Sequence, residues 1–169
     1  MAAARRHGFQ EVRVQLVKGA RLYSDTPLQR PDDAVWVMRE ALSALDREEV
    51  IVINLNNHLK PVNYNVVSIG SLNTSLAPIQ NVLKSTILSN CTNMMLMHNH
   101  PSGEIEPSKE DVAVTRKLCE AAKIFDMAVI DHIIVGGETG KLYSFRENYP
   151  ELFGNTVDMA VIRQIMERR

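Results

Sequence analysis

The chain has 169 residues, 45% of them hydrophobic, which is enough for one domain with a buried core. Its 19 basic and 20 acidic side chains give a formal net charge of −1, and no long run of like charge is present. We therefore do not expect nucleic-acid binding to be the main activity, because such proteins usually carry a basic stripe, although a local patch would escape this count.

The cysteines and the N-terminus bear on the cellular compartment. Cys91 and Cys119 lie far apart in the sequence, which favours two reduced, buried thiols over a disulfide framework. The first residues lack the apolar segment of a signal peptide, and no apolar run approaches the length of a membrane span. The sequence predicts a cytoplasmic protein without membrane contact.

Strands and helices are predicted to alternate along the chain. An N-terminal extension over 1–30 contains a predicted half-buried strand at 11–19, where Val12, Val14 and Leu16 alternate with polar residues. Further strands are predicted at 49–56, 62–70, 93–100, 127–137 and 141–145. Helices are predicted at 31–45, 78–90 and 108–125, with a last one within 151–169. The fold class is α/β (α+β), one domain with a mixed sheet, because the last two strands form a hairpin.

Two histidines close the methionine-rich strand at 93–100. His98 and His100 are two residues apart, so their side chains lie on one face and can approach one ion. Asp111, in the first turn of the next helix, shares its helix side with apolar residues and should face back toward that strand. Two imidazoles and a carboxylate with an open fourth position are typical of catalytic zinc, bound at about 2.0–2.1 Å.

A structural explanation of the same residues needs no metal. Ser108 and Asp111, three residues apart, resemble a capping box at a helix N-terminus. A capping box does not explain why two histidines on one face end a buried strand. We therefore favour the metal site, and a first-turn serine can serve as cap and as site residue.

These residues resemble the signature of a known family. His-x-His, seven residues and Ser-x-x-Asp, here His98 to Asp111, resemble the JAMM metalloprotease motif of the MPN (JAB) fold. The sequence segments "HNHPSG", "DHIIV" and "YSF" are similar to those of the RadC branch of that family. The resemblance covers roughly 31–150 and implies an MPN/JAB domain, a mixed sheet flanked by helices, followed by a C-terminal helix over 151–169. RadC-like proteins often carry a helix-hairpin-helix segment before this domain, and we expect this chain to lack it.

The resemblance implies a cofactor and a mechanism. One Zn²⁺ per chain would be held by His98, His100 and Asp111 and would activate a water. Ser108 would hydrogen-bond the oxyanion or that water.

A glutamate would act as the general base in this mechanism. Alignment on Leu55-Asn56 selects Glu48 for that role. Chemistry alone makes Glu49 nearly as good, because the strand is apolar on both faces and its phase cannot be read.

Two further polar residues lie near the predicted site. His132 is either a core histidine satisfied by a neighbour or a residue that supports a zinc ligand. Asn99 faces away from the two histidines, so we expect it to brace the backbone.

The function expected from sequence is a zinc-dependent hydrolase that cleaves a peptide or isopeptide bond in an unknown peptide or protein substrate. One alternative is a DNA repair or recombination protein of the RadC type, against which the near-neutral charge argues. Another is a non-catalytic MPN interaction module, but such domains tend to lose the metal ligands, and this chain keeps them.

Overall fold

A computed structural model describes residues 11, 13–19, 22, 31–70 and 78–154. In chain order the elements are helix α1 (Pro31–Ser43), strands β1 (Glu49–Leu55) and β2 (Pro61–Ile69), helix α2 (Ile79–Leu88), strand β3 (Asn93–Asn99), helix α3 (Lys109–Ile124), strands β4 (Ala128–Gly136) and β5 (Lys141–Ser144), and the short helix α4 (Phe145–Asn148). Two 3-10 turns lie at Gly137–Thr139 and Pro150–Leu152. No helix in these ranges is long and apolar enough to cross a membrane.

The five strands form one mixed sheet in the order β2-β1-β3-β4-β5. The pairs β1–β2, β1–β3 and β4–β5 are antiparallel, and β3–β4 is parallel. A parallel pair needs a long crossover, and α3 provides it. This architecture confirms the predicted α+β class, the mixed sheet and the hairpin of the last two strands.

Both faces of the central strands are buried, because helices cover the sheet on its two sides. One core unites alternate residues of β1 and β3 with α2 and α3, including Val50, Val52, Met94, Leu96, Val82 and Leu118. The other core unites the intervening strand residues with α1, including Ile51, Ile53, Met95, Met97, Met38 and Leu42. The continuous apolar runs of β1 and β3 are the consequence.

The structure differs from the prediction near the N-terminus and does not describe the residues after 154. Residues 13–19 form no strand, and Val14, Leu16 and Val17 are 70%, 51% and 84% exposed. The prediction of a strand there was wrong because alternation specifies a strand only where a sheet edge pairs with its backbone, and none of the described strands does so. Of the C-terminal helix predicted over 151–169, residues 155–169 lie outside the described residues, and Pro150–Leu152 forms a 3-10 turn. Cys91 and Cys119 are free and buried, as predicted.

A glycine at the end of β4 allows the loop that follows β3 to pass close to the β4 backbone. A Cβ on Gly136 would lie 2.7 Å from the Gly103 carbonyl oxygen, 2.7 Å from Ile105 Cγ2 and 2.9 Å from Thr139 Oγ1. The same loop starts at His100, whose N–H donates to the Val135 carbonyl at 2.8 Å. The absence of a side chain at this position therefore sets the path of the segment that follows His98.

Gly136→Ala should destabilise the fold by about 1–3 kcal/mol, because the added methyl group overlaps backbone and must displace the loop. Denaturant unfolding of the variant beside wild type measures this difference. Gly19→Ala is the matched control, since a Cβ there meets nothing within 4 Å. Equal unfolding free energies for Gly136→Ala and wild type would contradict the close approach.

Candidate metal centre

The three predicted ligands meet where β3 ends and α3 begins. His98 is the penultimate residue of β3, His100 follows the strand, and Asp111 lies in the first turn of α3. His98 and Asp111 are 1% and 2% exposed, and His100 is half-buried. The chain leaves the sheet, turns at Pro101 and returns as a helix, so strand end and helix start face each other.

The candidate ligand atoms lie close to one another. His98 Nε2 is 3.0 Å from His100 Nε2 and 3.3 Å from Asp111 Oδ1, and His100 Nε2 is 3.8 Å from Asp111 Oδ2. Tetrahedral zinc with nitrogen and oxygen ligands at about 2.0–2.1 Å requires ligand atoms about 3.3 Å apart. The three residues can therefore hold a metal ion, and they form the only such cluster among the described residues.

The hydrogen bond on the far side of His100 determines which ring nitrogen is free. His100 Nδ1 lies 2.8 Å from the Glu104 carbonyl oxygen, which can only accept, so Nδ1 carries the proton. In the neutral ring, Nε2 then presents a lone pair toward His98 Nε2 and the Asp111 carboxylate. A lone pair and a carboxylate that face the same small space are suited to bind a cation, which is the chemistry of a metal site.

The buried histidines favour the neutral form that ligates metals. Burial lowers the pKa of His98 to about 4, with His100 adding to the effect and Asp111 opposing it. Burial also holds the pKa of His132 well below 6.5. His132 Nε2 lies 2.8 Å from His98 Nδ1, so the structure places His132 directly behind this candidate ligand. It is also a satisfied core histidine, since its Nδ1 lies 2.7 Å from Thr115 Oγ1.

Ser108 and Asp111 form the capping box that the sequence suggested. The Ser108 backbone N–H and hydroxyl both donate to Asp111 Oδ2, at 2.8 and 2.6 Å, and the hydroxyl accepts from the Asp111 N–H at 3.1 Å. Oδ2 is thereby held and Oδ1 is turned toward His98. The cap thus orients the carboxylate for the site, while a catalytic role for Ser108 stays a prediction.

Strand pairing shows which face of the sheet each residue of β1 lies on, and the sequence alone did not. Val50 of β1 lies directly opposite His98, and opposed residues of antiparallel strands share a face. Glu49 falls on the other face, and the same alternation carried one residue beyond the start of β1 predicts Glu48 on the face of His98. Continuing the register by two residues sets Glu48 across from His100. The pairing therefore favours Glu48 over Glu49 as the general base, and that role stays a prediction.

Asn99 fixes the backbone on both sides of Glu48. Its Nδ2 donates to the Arg47 carbonyl at 2.9 Å, and its Oδ1 accepts from the Glu49 N–H at 2.8 Å. The predicted bracing role of Asn99 is confirmed. The start of β1 is thus fastened to the end of β3 beside the histidines.

Sequence reasoning did not assign site roles to Thr115 and Asp131. Thr115 lies one helical turn after Asp111, and that spacing was the available signal. Asp131 accepts from the Ser144 hydroxyl at 2.6 Å and from the Arg146 N–H at 2.9 Å, and burial raises its pKa to about 6. It thereby anchors the start of α4, whose Phe145 stacks on His132 with ring centroids 4.7 Å apart.

The metal-free protein should lose stability as the pH falls from 6.5 toward 4. Unfolded histidine titrates near 6.5, whereas folded His98 titrates at about 4 and His132 well below 6.5. In this window the unfolded state binds more protons, so the free energy of unfolding decreases. Denaturant unfolding of chelator-treated protein across the window measures the slope, and a flat profile would contradict the burial of neutral imidazoles.

Asp131 should act in the opposite direction within the same window. Its folded pKa of about 6 exceeds the ordinary aspartate value of 3.8, so its contribution to stability is fully present below 3.8 and is lost as the pH rises through 6. Asp131→Asn should therefore make the acid-induced loss of stability steeper than in wild type. The same unfolding series on this variant measures it, and a shallower slope would contradict the assignment.

Comparison with known proteins identifies the family of this chain. A family model described as RadC-like JAB domain matches residues 28–150. The chain is 38% identical over 141 residues to a UPF0758 protein of Moorella thermoacetica, covering 81% of this chain and 61% of that protein. It is 35% identical over 154 residues to a UPF0758 protein of Roseiflexus castenholzii, covering 85% and 65%. The chain thus spans less than two thirds of the length of these relatives, and it belongs to the RadC-like JAB domain family.

Proposed function

We propose that this chain is a zinc-dependent hydrolase of the JAMM type that cleaves a peptide or isopeptide bond. The observation that carries the proposal is the convergence of His98 Nε2, His100 Nε2 and Asp111 Oδ1 at the end of β3. Two imidazoles and one carboxylate are a ligand set that suits zinc. Three protein ligands leave a position for water or substrate, which distinguishes a catalytic zinc site from a structural one.

The chain's own residues would divide the work of hydrolysis. When bound, the metal ion supplies a Lewis acid that lowers the pKa of a coordinated water. Glu48, on the histidine face at the start of β1, would accept the proton of that water and pass it to the leaving amine. Asn99 supports this role because it holds the backbone immediately before and after Glu48.

Ser108 would donate a hydrogen bond to the developing oxyanion. Its hydroxyl has one proton, which in the described structure goes to Asp111 Oδ2. The Ser108 backbone N–H holds the same oxygen at 2.8 Å, so the hydroxyl can turn to the substrate without releasing the carboxylate. The capping box therefore supports a dual role for this serine.

Metal content tests the first part of the proposal. Protein purified without added metal, or supplied with zinc and then dialysed, should hold one zinc per chain by elemental analysis. His98→Ala and Asp111→Ala should lose it, because each removes one of three ligands. His58→Ala, which changes an exposed histidine in the β1–β2 turn, is the matched control and should keep it. A wild-type protein that stays metal-free after zinc is supplied would leave a non-catalytic interaction module.

Paired glutamate variants test the general base. Glu48→Gln should keep the bound zinc and lower hydrolysis of peptide or isopeptide substrates about 10²–10⁴-fold, the usual contribution of a positioned base. Glu49→Gln should leave both zinc content and turnover near wild type, since its side chain lies on the other face of the sheet. The two variants are compared on whichever substrate a peptide and isopeptide screen identifies. Equal losses in the two variants would contradict the phase assigned from strand pairing.

A further inference from the structure

We infer that His132 and Thr115 are positioning residues that fix the His98 ring in the Nδ1–H tautomer, so that its Nε2 lone pair faces the metal position. Neither residue touches the proposed ion. The inference deepens the proposed function and rests on it for the presence of an ion. The tautomer itself is a property of the metal-free chain and can be measured separately.

Three short contacts connect two of the candidate ligands through the protein interior. His98 Nδ1 lies 2.8 Å from His132 Nε2, and His132 Nδ1 lies 2.7 Å from Thr115 Oγ1. Thr115 Oγ1 then donates to the Asp111 backbone carbonyl at 2.7 Å. The chain of hydrogen bonds starts on one ligand side chain and ends on the backbone of another.

The direction of these hydrogen bonds follows from the groups at the end of the chain. The Asp111 carbonyl can only accept, so it takes the one hydroxyl proton of Thr115. Thr115 Oγ1 must then accept from His132 Nδ1–H, which leaves a lone pair on His132 Nε2. That lone pair accepts from His98 Nδ1–H, and His98 Nε2 carries no proton.

The reverse direction does not satisfy the same contacts. If Thr115 donated to His132 Nδ1, its oxygen would lie 2.7 Å from the Asp111 carbonyl oxygen without a proton between them. Water cannot supply the missing hydrogen bond, because Thr115 and His132 are 0% and 1% exposed. The stacked Phe145 ring, inclined by 6° to His132, holds the plane of that imidazole. One tautomer of each histidine therefore satisfies the three contacts behind the site, and it leaves the 3.0 Å contact between His98 Nε2 and His100 Nε2 without a proton, where the proposed ion would lie.

Loss of the acceptor behind His98 should reverse its tautomer. In His132→Leu the buried His98 Nδ1–H has no acceptor, and a buried unsatisfied donor is costly. The alternative tautomer carries the proton on Nε2, where His100 Nε2 lies 3.0 Å away and Asp111 Oδ1 lies 3.3 Å away, and both can accept it. That tautomer cannot ligate a metal through Nε2, so zinc affinity should fall about 10–100-fold, the usual effect of losing a partner of a histidine ligand.

Threonine variants test the same chain with a smaller change of shape. Thr115→Val removes the hydroxyl with nearly unchanged volume and should weaken zinc binding in the same direction as His132→Leu. Thr115→Ser keeps the hydroxyl and should restore wild-type affinity. Thr86→Val is the matched control, because Thr86 is also fully buried and its hydroxyl donates to Asn54 Oδ1 at 2.8 Å, at the other end of the sheet.

The experiment reads ring nitrogen protonation by ¹⁵N NMR on metal-free protein and zinc affinity by competition with a chelator. We expect Nδ1–H on His98 and His132 in wild type, Thr115→Ser and Thr86→Val, and Nε2–H on His98 in His132→Leu and Thr115→Val. A wild-type His98 with Nε2–H overturns the inference, as does Thr115→Val with the affinity of Thr86→Val.

The two readouts also separate this inference from the proposed function. A wild type that shows Nδ1–H on His98 and loses it in Thr115→Val supports the positioning role, even if no zinc is bound and the hydrolase proposal falls. If His132→Leu and Thr115→Val both bind zinc as tightly as wild type does, the inference is overturned and the hydrolase proposal stays intact.

Discussion

The arrangement at the end of β3 depends on one electrostatic constraint: a carboxylate and two imidazole lone pairs share one small space. His98 Nε2 and His100 Nε2 are 3.0 Å apart, and Asp111 Oδ1 is 3.3 Å from the first. Such groups repel one another unless a cation lies between them. They stay together because each is tied from behind, through His132, the Glu104 carbonyl and Ser108. The surrounding fold is arranged to hold electron-rich atoms close together.

The sheet topology explains how this is achieved with few residues. The parallel β3–β4 pair needs a crossover, and α3 starts at the edge where β3 ends, so strand end and helix start are brought together. The loop between them passes over Gly136, which has no side chain to obstruct it. Antiparallel pairing with β1 brings the start of that strand, which Glu48 precedes, to the same edge. Each candidate site residue is therefore placed by a regular element or by a hydrogen bond to one.

The sequence predicted the parts of the site that local pattern controls. The His-x-His spacing, the capping box and the apolar strands need only one segment each to be recognised. The residue pattern alone could not separate Glu48 from Glu49, because β1 is buried on both faces and hides the alternation; the family resemblance selected Glu48, and the pairing of Val50 with His98 favours the same residue. At 13–19 the alternation was visible and predicted a strand, but no strand forms there, since no described strand pairs with that segment. The role of His132 depends on three elements meeting and so has no local signature.

The hydrogen bonds behind the two histidines both end on neutral backbone groups, and this limits the negative charge of the site. His100 Nδ1 donates to a backbone carbonyl, and the hydrogen bonds behind His98 also end on one, that of Asp111. Neither imidazole is backed by a carboxylate, which would make the ligand more basic and add negative charge. Asp111 is then the one anionic ligand of the three. A divalent ion held by these three residues would keep a net positive charge, and that charge would favour activation of a bound water over simple structural retention of the metal.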